Sequence, residues 1–112
     1  MNDGFFQALG KIESGGNSTA FNKREKAVGI YQIRKKYLSD AKKGNSYLSQ
    51  YKLSDCYNPE ISKIVVISYL NKYCKNGSWA DYARCHNSGP EWRDKKKLTN
   101  NYVARFNNLL KK

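Results

Sequence analysis

The sequence predicts a mainly α-helical single domain over residues 1–112, with a small extended or β segment near residues 28–33. Three observations predict it. Apolar residues recur at helical spacing near both ends of the chain and between residues 59 and 75. Asn or Thr precedes those stretches, and Gly15-Gly16 and Asn76-Gly77 follow the first and the middle one, the usual start and stop chemistry of helices. No composition shift, repeat or low-complexity tract divides the 112 residues, a length that buries one core without a metal or a disulfide frame.

The first helix starts at Asn2 or Asp3, carries Phe5, Phe6, Leu9 and Ile12 on one face, and ends at Gly15-Gly16. Residues 14–28 are polar and irregular. Gly29-Ile30-Tyr31-Gln32-Ile33 alternates apolar and polar residues, as in a short strand or an extended entry to a helix. Residues 35–43 read as helix, stopped by Gly44-Asn45, while Tyr47 to Cys56 fits no single pattern. The clearest helix runs from about Pro59 to Lys75. Asn58 caps it, Pro59 suits its first position and Asn76-Gly77 stops it. Its apolar residues surround much of its girth, as in a central helix. Ser78 and Asp81 form a capping box for a helix from Trp79 to about Cys85, broken by Asn87-Ser88-Gly89-Pro90. The last helix, about Asn100 to Leu110, buries Tyr102, Val103, Phe106, Leu109 and Leu110.

The net charge of +12 favours an anionic partner: a cell wall, a nucleic acid or another acidic surface. The basic residues are dispersed, at Lys35-Lys36, Lys42-Lys43, Lys95-Lys96-Lys97 and Lys111-Lys112. They form no reading face, zinc-finger spacing or basic zipper, which argues against specific nucleic-acid binding. No apolar run is long enough to insert in a membrane, and Met-Asn-Asp-Gly-Phe-Phe has no leader pattern. Three cysteines, Cys56, Cys74 and Cys85, match no zinc pattern and read as buried packers in a reducing compartment. No metal or cofactor is expected.

Glu13 is the residue with the most chemical promise. It stands where an amphipathic helix meets a glycine turn, beside the core face yet near the surface. An acid held between apolar walls and solvent keeps a proton for donation. The alternative is an ordinary surface Glu in a last helical turn.

Four short pieces follow one another in order: Glu13-Ser14, Gly29-Ile30-Tyr31-Gln32, Cys85-His86-Asn87-Ser88-Gly89, and Thr99-Asn100-Asn101-Tyr102-Val103. This series resembles the ES, GLMQ-like, AYNAG-like and T-x-x-Y-V elements of the soluble lytic transglycosylase and goose-type lysozyme family. The resemblance runs from Ala8 to Phe106 and implies a lysozyme-like fold and cleavage of peptidoglycan. It implies Glu13 as general acid/base, Ser14 as its small polar neighbour and Gln32 as a ligand of sugar substituents. It further implies Asn87 as a substrate or Glu13 contact, and Tyr102 with its hydroxyl directed at Glu13. There are departures. Tyr31 stands for the usual Met and offers a ring that could stack on a sugar. His86 stands for an aromatic and could line the groove, Cys85 stands for Ala, and Leu98 for a frequent Glu.

Breaking a glycosidic bond needs a proton on the leaving oxygen and, in an inverting hydrolase, a second carboxylate to activate water. The family implies that a transglycosylase dispenses with the second, because the substrate's own hydroxyl attacks and closes a 1,6-anhydro sugar. Glu25 is the candidate second carboxylate and Asp40 a more distant one; Glu25 among Lys23, Arg24 and Lys26 also fits a solvated charge cluster. Gln32 and Asn87 equally fit backbone bridging and a helix stop, and Tyr102 fits simple core packing. The expected partner is a bacterial peptidoglycan strand bound by a monomer. Small size resembles the bacteriophage-encoded versions, made in the cytoplasm and acting on the bacterial wall. The rivals are an inverting hydrolase, a glycan-binding module without catalysis and a basic nucleic-acid-binding domain.

Overall fold

The computed structural model describes residues 1–111, so the final lysine of the Lys111-Lys112 pair, and of the expected 1–112 domain, lies outside the described residues. Among them are five α-helices: α1 (Asp3–Ser14), α2 (Lys35–Gly44), α3 (Pro59–Tyr73), α4 (Trp79–Ser88) and α5 (Asn100–Leu110). A two-stranded antiparallel hairpin, β1 (Phe21–Asn22) and β2 (Ala27–Val28), lies between α1 and α2.

The caps act as their residue types dictate. Asn2 Oδ1 accepts from the Phe5 amide, and Gly15 ends α1 with φ at 68°. Asn58 Oδ1 takes the amides of Glu60 and Ile61 at 2.9 and 3.3 Å. Ser78 and Asp81 close their capping box with two reciprocal bonds of 3.1 Å. Each such cap contributes about 1 kcal/mol.

Phe5 is fully buried and joins three helices. Its ring meets Trp79 and Tyr82 of α4 and Phe106 of α5 edge-on, with centroids 5.4–6.1 Å apart. This packing holds the first turn of α1 against α4 and α5. On the other side, α3 packs on α2, where Ser68 Oγ donates to the Ala41 carbonyl in the interior at 2.9 Å. The apolar girth of α3 is not closed: Ile64 reaches the surface, 36% exposed, while Val65, Val66 and Leu70 are fully buried. The three cysteines are free and buried. Burial raises their thiol pKa values, Cys56 to about 11, so they are packing groups rather than nucleophiles at neutral pH.

The strand pairing lies earlier than the expected 28–33 segment. Phe21 pairs with Val28 and Asn22 with Ala27, so the polar stretch 14–28 contains the whole hairpin. Only a bridge between Val28 and Ile33 belongs to the later segment. Between them the chain turns, with Gly29 at φ 81° and Gln32 at φ 57°. Any Cβ on residue 29 would collide with the Cys56 carbonyl oxygen, so a glycine is required there. Tyr47 to Cys56, which fits no single pattern in sequence, forms two short 3-10 turns over Ser46–Gln50 and Leu53–Tyr57.

Candidate active site

Glu13 lies in the last turn of α1 with its side chain 18% exposed. The α1–α5 packing sets Tyr102 against it, and the Tyr102 hydroxyl donates to Glu13 Oε2 at 2.5 Å. Burial, then the negative Glu13, raise the Tyr102 pKa well above 10, so its proton stays available for this bond. His86, on α4, approaches the same oxygen with Nε2 at 3.6 Å. Both neighbours therefore converge on Oε2. Oε1 has no protein hydrogen-bond partner among the described residues. A proton on this acid is thus directed to Oε1, the oxygen free to donate it.

His86 is 7% exposed, and its hydrogen bonds fix its tautomer. Nε2 lies 2.9 Å from the Tyr31 carbonyl, which can only accept, so Nε2 carries the proton. Nδ1 then accepts from the Tyr37 hydroxyl at 2.8 Å. Burial lowers the His86 pKa and outweighs the opposing pull of the Glu13 charge and the Tyr31 carbonyl. The imidazole is therefore neutral at pH 7: it brings no cation to Glu13, and its one N–H is engaged by the Tyr31 carbonyl.

Ser14 fastens the loop that supplies this carbonyl. Its hydroxyl lies 2.8 Å from the Ile30 carbonyl and 3.2 Å from that of Gly10, and it accepts from the Asn17 amide at 3.0 Å. Ser14 thus acts on the site through backbone. Gln32, half-buried, donates from Nε2 to the Gly29 carbonyl at 3.0 Å and braces the same turn.

Tyr31 does not offer its ring to a sugar. It is 5% exposed and packs edge-on against Phe6, because the bridge from Val28 to Ile33 closes a turn that directs it inward. Its carbonyl, not its ring, serves the site. Asn87 is exposed on α4, with no side-chain hydrogen bond to Glu13 among the described residues. Glu25 is exposed in the hairpin turn; its amide donates to Asn22 Oδ1 at 3.1 Å, and its carboxylate has no ion pair among the described residues. Asp40 is 5% exposed and held by Lys36 and Lys43 at 3.2 and 3.3 Å. Burial would raise its pKa, but these two ammonium groups outweigh it and hold the carboxyl below its usual value.

Sequence reading had no means of finding Tyr37, which lies 49 residues from His86 and is one of nine tyrosines. Its ring stacks on Tyr69 at 3.8 Å, and both line a cavity of about 460 Å³ that His86 also borders.

A sequence model of the family described as Destabilase matches residues 3–109. The chain belongs to the Destabilase family. This is a lysozyme-like family, and at family level it implies glycosidase activity on peptidoglycan. The match bears out the lysozyme-like kinship expected from the four motifs and stops short of goose-type or transglycosylase membership. Helices with one small antiparallel hairpin agree with that fold. No curated protein matches the chain. Among the described residues no group of three or more His, Cys, Asp or Glu could hold a metal ion, and no helix is long and apolar enough to cross a membrane.

Proposed function

We propose that this Destabilase-family chain cleaves the β-1,4 bond between N-acetylmuramic acid and N-acetylglucosamine as a lytic transglycosylase, with Glu13 as its single acid and base. The observation that carries the reading is the convergence of Tyr102 and His86 on Glu13 Oε2, at 2.5 and 3.6 Å. In the first step the proton on Glu13 Oε1 passes to the glycosidic oxygen. The bond from that oxygen to C1 of the muramic residue breaks, leaving an oxocarbenium-like centre. The charge now on Glu13 is met by the hydrogen bond from the Tyr102 hydroxyl, with the polar edge of the neutral His86 ring beside it. Glu13 then takes the proton of the muramic C6 hydroxyl while that oxygen bonds to C1. A 1,6-anhydro end forms, no water is consumed and Glu13 is again protonated.

Asp40 is unsuited to a second carboxylate role, because two lysines already occupy it. One observation favours a second reading, hydrolysis with Glu25 as base: its carboxylate is exposed and unpaired among the described residues, on a hairpin whose following loop Ser14 ties to the end of α1. We take the enzyme to act on bacterial cell wall as a monomer, drawn there by its net charge of +12. Mass spectrometry of fragments released from purified peptidoglycan separates the two reactions. Anhydro-muramic ends support the transglycosylase. Reducing muramic ends would replace it with hydrolysis, and loss of activity in Glu25→Gln would then identify the base.

A further inference from the structure

The cavity of about 460 Å³ lies one imidazole ring from Glu13. His86 faces Glu13 with Nε2 and holds the Tyr37 hydroxyl, part of the cavity wall, on Nδ1. The volume is in the range of small-molecule sites.

Its lining differs from that of a sugar subsite. Tyr37 and Tyr69 stack on each other at 3.8 Å with planes 13° apart, so each ring already spends a face on the other. Arg34, Lys36 and Lys95 stand on the wall against Asp40 and Glu91. Lys36 is paired to Asp40, at 3.2 Å. Arg34, Lys95 and Glu91 have no ion-pair partner among the described residues. A neutral sugar gains little from such a wall. A short zwitterionic chain, with carboxylates for Arg34 and Lys95 and an ammonium for Glu91, matches it in sign.

A glycan strand carries such a chain close to the bond that Glu13 addresses. Peptide stems branch from the lactyl group of the muramic residue, on the same ring as the bond to be cut. We infer that this cavity is the subsite for the peptide stem, its carboxylates held by Arg34 and Lys95. The inference rests on the proposed cleavage of peptidoglycan. It makes the enzyme selective for muramic residues that carry peptide, and Arg34 and Lys95 its specificity-determining residues.

The test compares kcat/KM on intact soluble strands with that on the same strands stripped of peptide by an amidase, which leaves a lactyl carboxylate at the ring. Wild type is expected to favour intact strands at least about tenfold. Arg34→Ala/Lys95→Ala should lose that preference by falling on intact strands only. A control lacking the same charge elsewhere, Lys75→Ala/Lys111→Ala, should keep it. Equal rates on both strands in wild type would overturn the inference. So would a double variant weakened equally on both, which would mean attraction by the lactyl group or by net charge.

Calorimetric titration of Glu13→Gln with N-acetylmuramyl tripeptide ending in lysine gives a readout independent of turnover. Tight binding that Arg34→Ala/Lys95→Ala abolishes supports the subsite even if no bond is cut, the case in which the cleavage reading alone fails. Equal binding of tripeptide and N-acetylmuramic acid overturns the subsite even if bonds are cut.

Discussion

The Tyr102 hydroxyl donates to Glu13 Oε2 at 2.5 Å and so joins two side chains 89 residues apart in sequence. The bond steadies the carboxylate form of Glu13, the form left once a proton has been given away. A hydrogen bond to a charged group is worth about 1.5–3 kcal/mol, or roughly one to two orders of magnitude in rate. Tyr102→Phe keeps the ring in place and removes the bond. It should lower kcat by about that factor with little change in KM, measured on soluble peptidoglycan strands.

Tyr37 acts on Glu13 only through His86 and is a positioning residue. Tyr37→Phe leaves Nδ1 of a buried imidazole without its donor, at a cost of about 1–3 kcal/mol. Thermal unfolding should shift down by several degrees. The Tyr31 carbonyl still holds the proton on Nε2, but Nδ1 loses the donor that opposes its protonation, so the acid limb of the rate profile should move, which a loss of packing alone does not cause. An unchanged profile would separate Tyr37 from the chemistry.

His86 makes stability depend on pH in a known direction. Its folded-state pKa lies below the ordinary value of 6.5. Above that value both states are neutral and nothing is lost. As pH falls below it, the unfolded chain binds a proton that the folded chain refuses, so stability drops by up to about 1.4 kcal/mol per pH unit. The loss levels off once the folded-state pKa is passed. Unfolding midpoints measured from pH 8 to 5 should therefore fall for wild type and fall less for His86→Gln.

Two glycines with similar backbone angles should respond differently to alanine. Gly15, at φ 68°, has open space where a Cβ would lie, so Gly15→Ala should cost only the left-handed penalty of about 1–2 kcal/mol. Gly29, at φ 81°, would drive its Cβ into the Cys56 carbonyl. Gly29→Ala should be much the more destabilising of the two in denaturant titrations. Equal losses would mean that the Gly29 turn can move away from the 3-10 segment beneath it.

Helix ends were legible because local chemistry sets them: Asn2, Asn58 and the Ser78-Asp81 box are read within four residues of chain. The hairpin was not legible because Phe21-Asn22 and Ala27-Val28 are two-residue strands, too short to show an alternating pattern. Glu13, His86 and Tyr102 could be singled out by motif, and the fold brings the three together. Tyr31 could not be read, since whether its ring faces cleft or core depends on a turn closed by the Val28–Ile33 bridge. Tyr37 and Arg34 gave no signal, and Lys95 showed only as part of a dispersed basic run. They meet through packing of the entry and first turn of α2 against the segment that follows α4, which local sequence does not encode.

The most direct test of the account is fragment release from purified peptidoglycan by wild type and Glu13→Gln, with circular dichroism to verify that both are folded. The account predicts release by wild type and essentially none by the folded variant. A folded Glu13→Gln that releases fragments at the wild-type rate would contradict it.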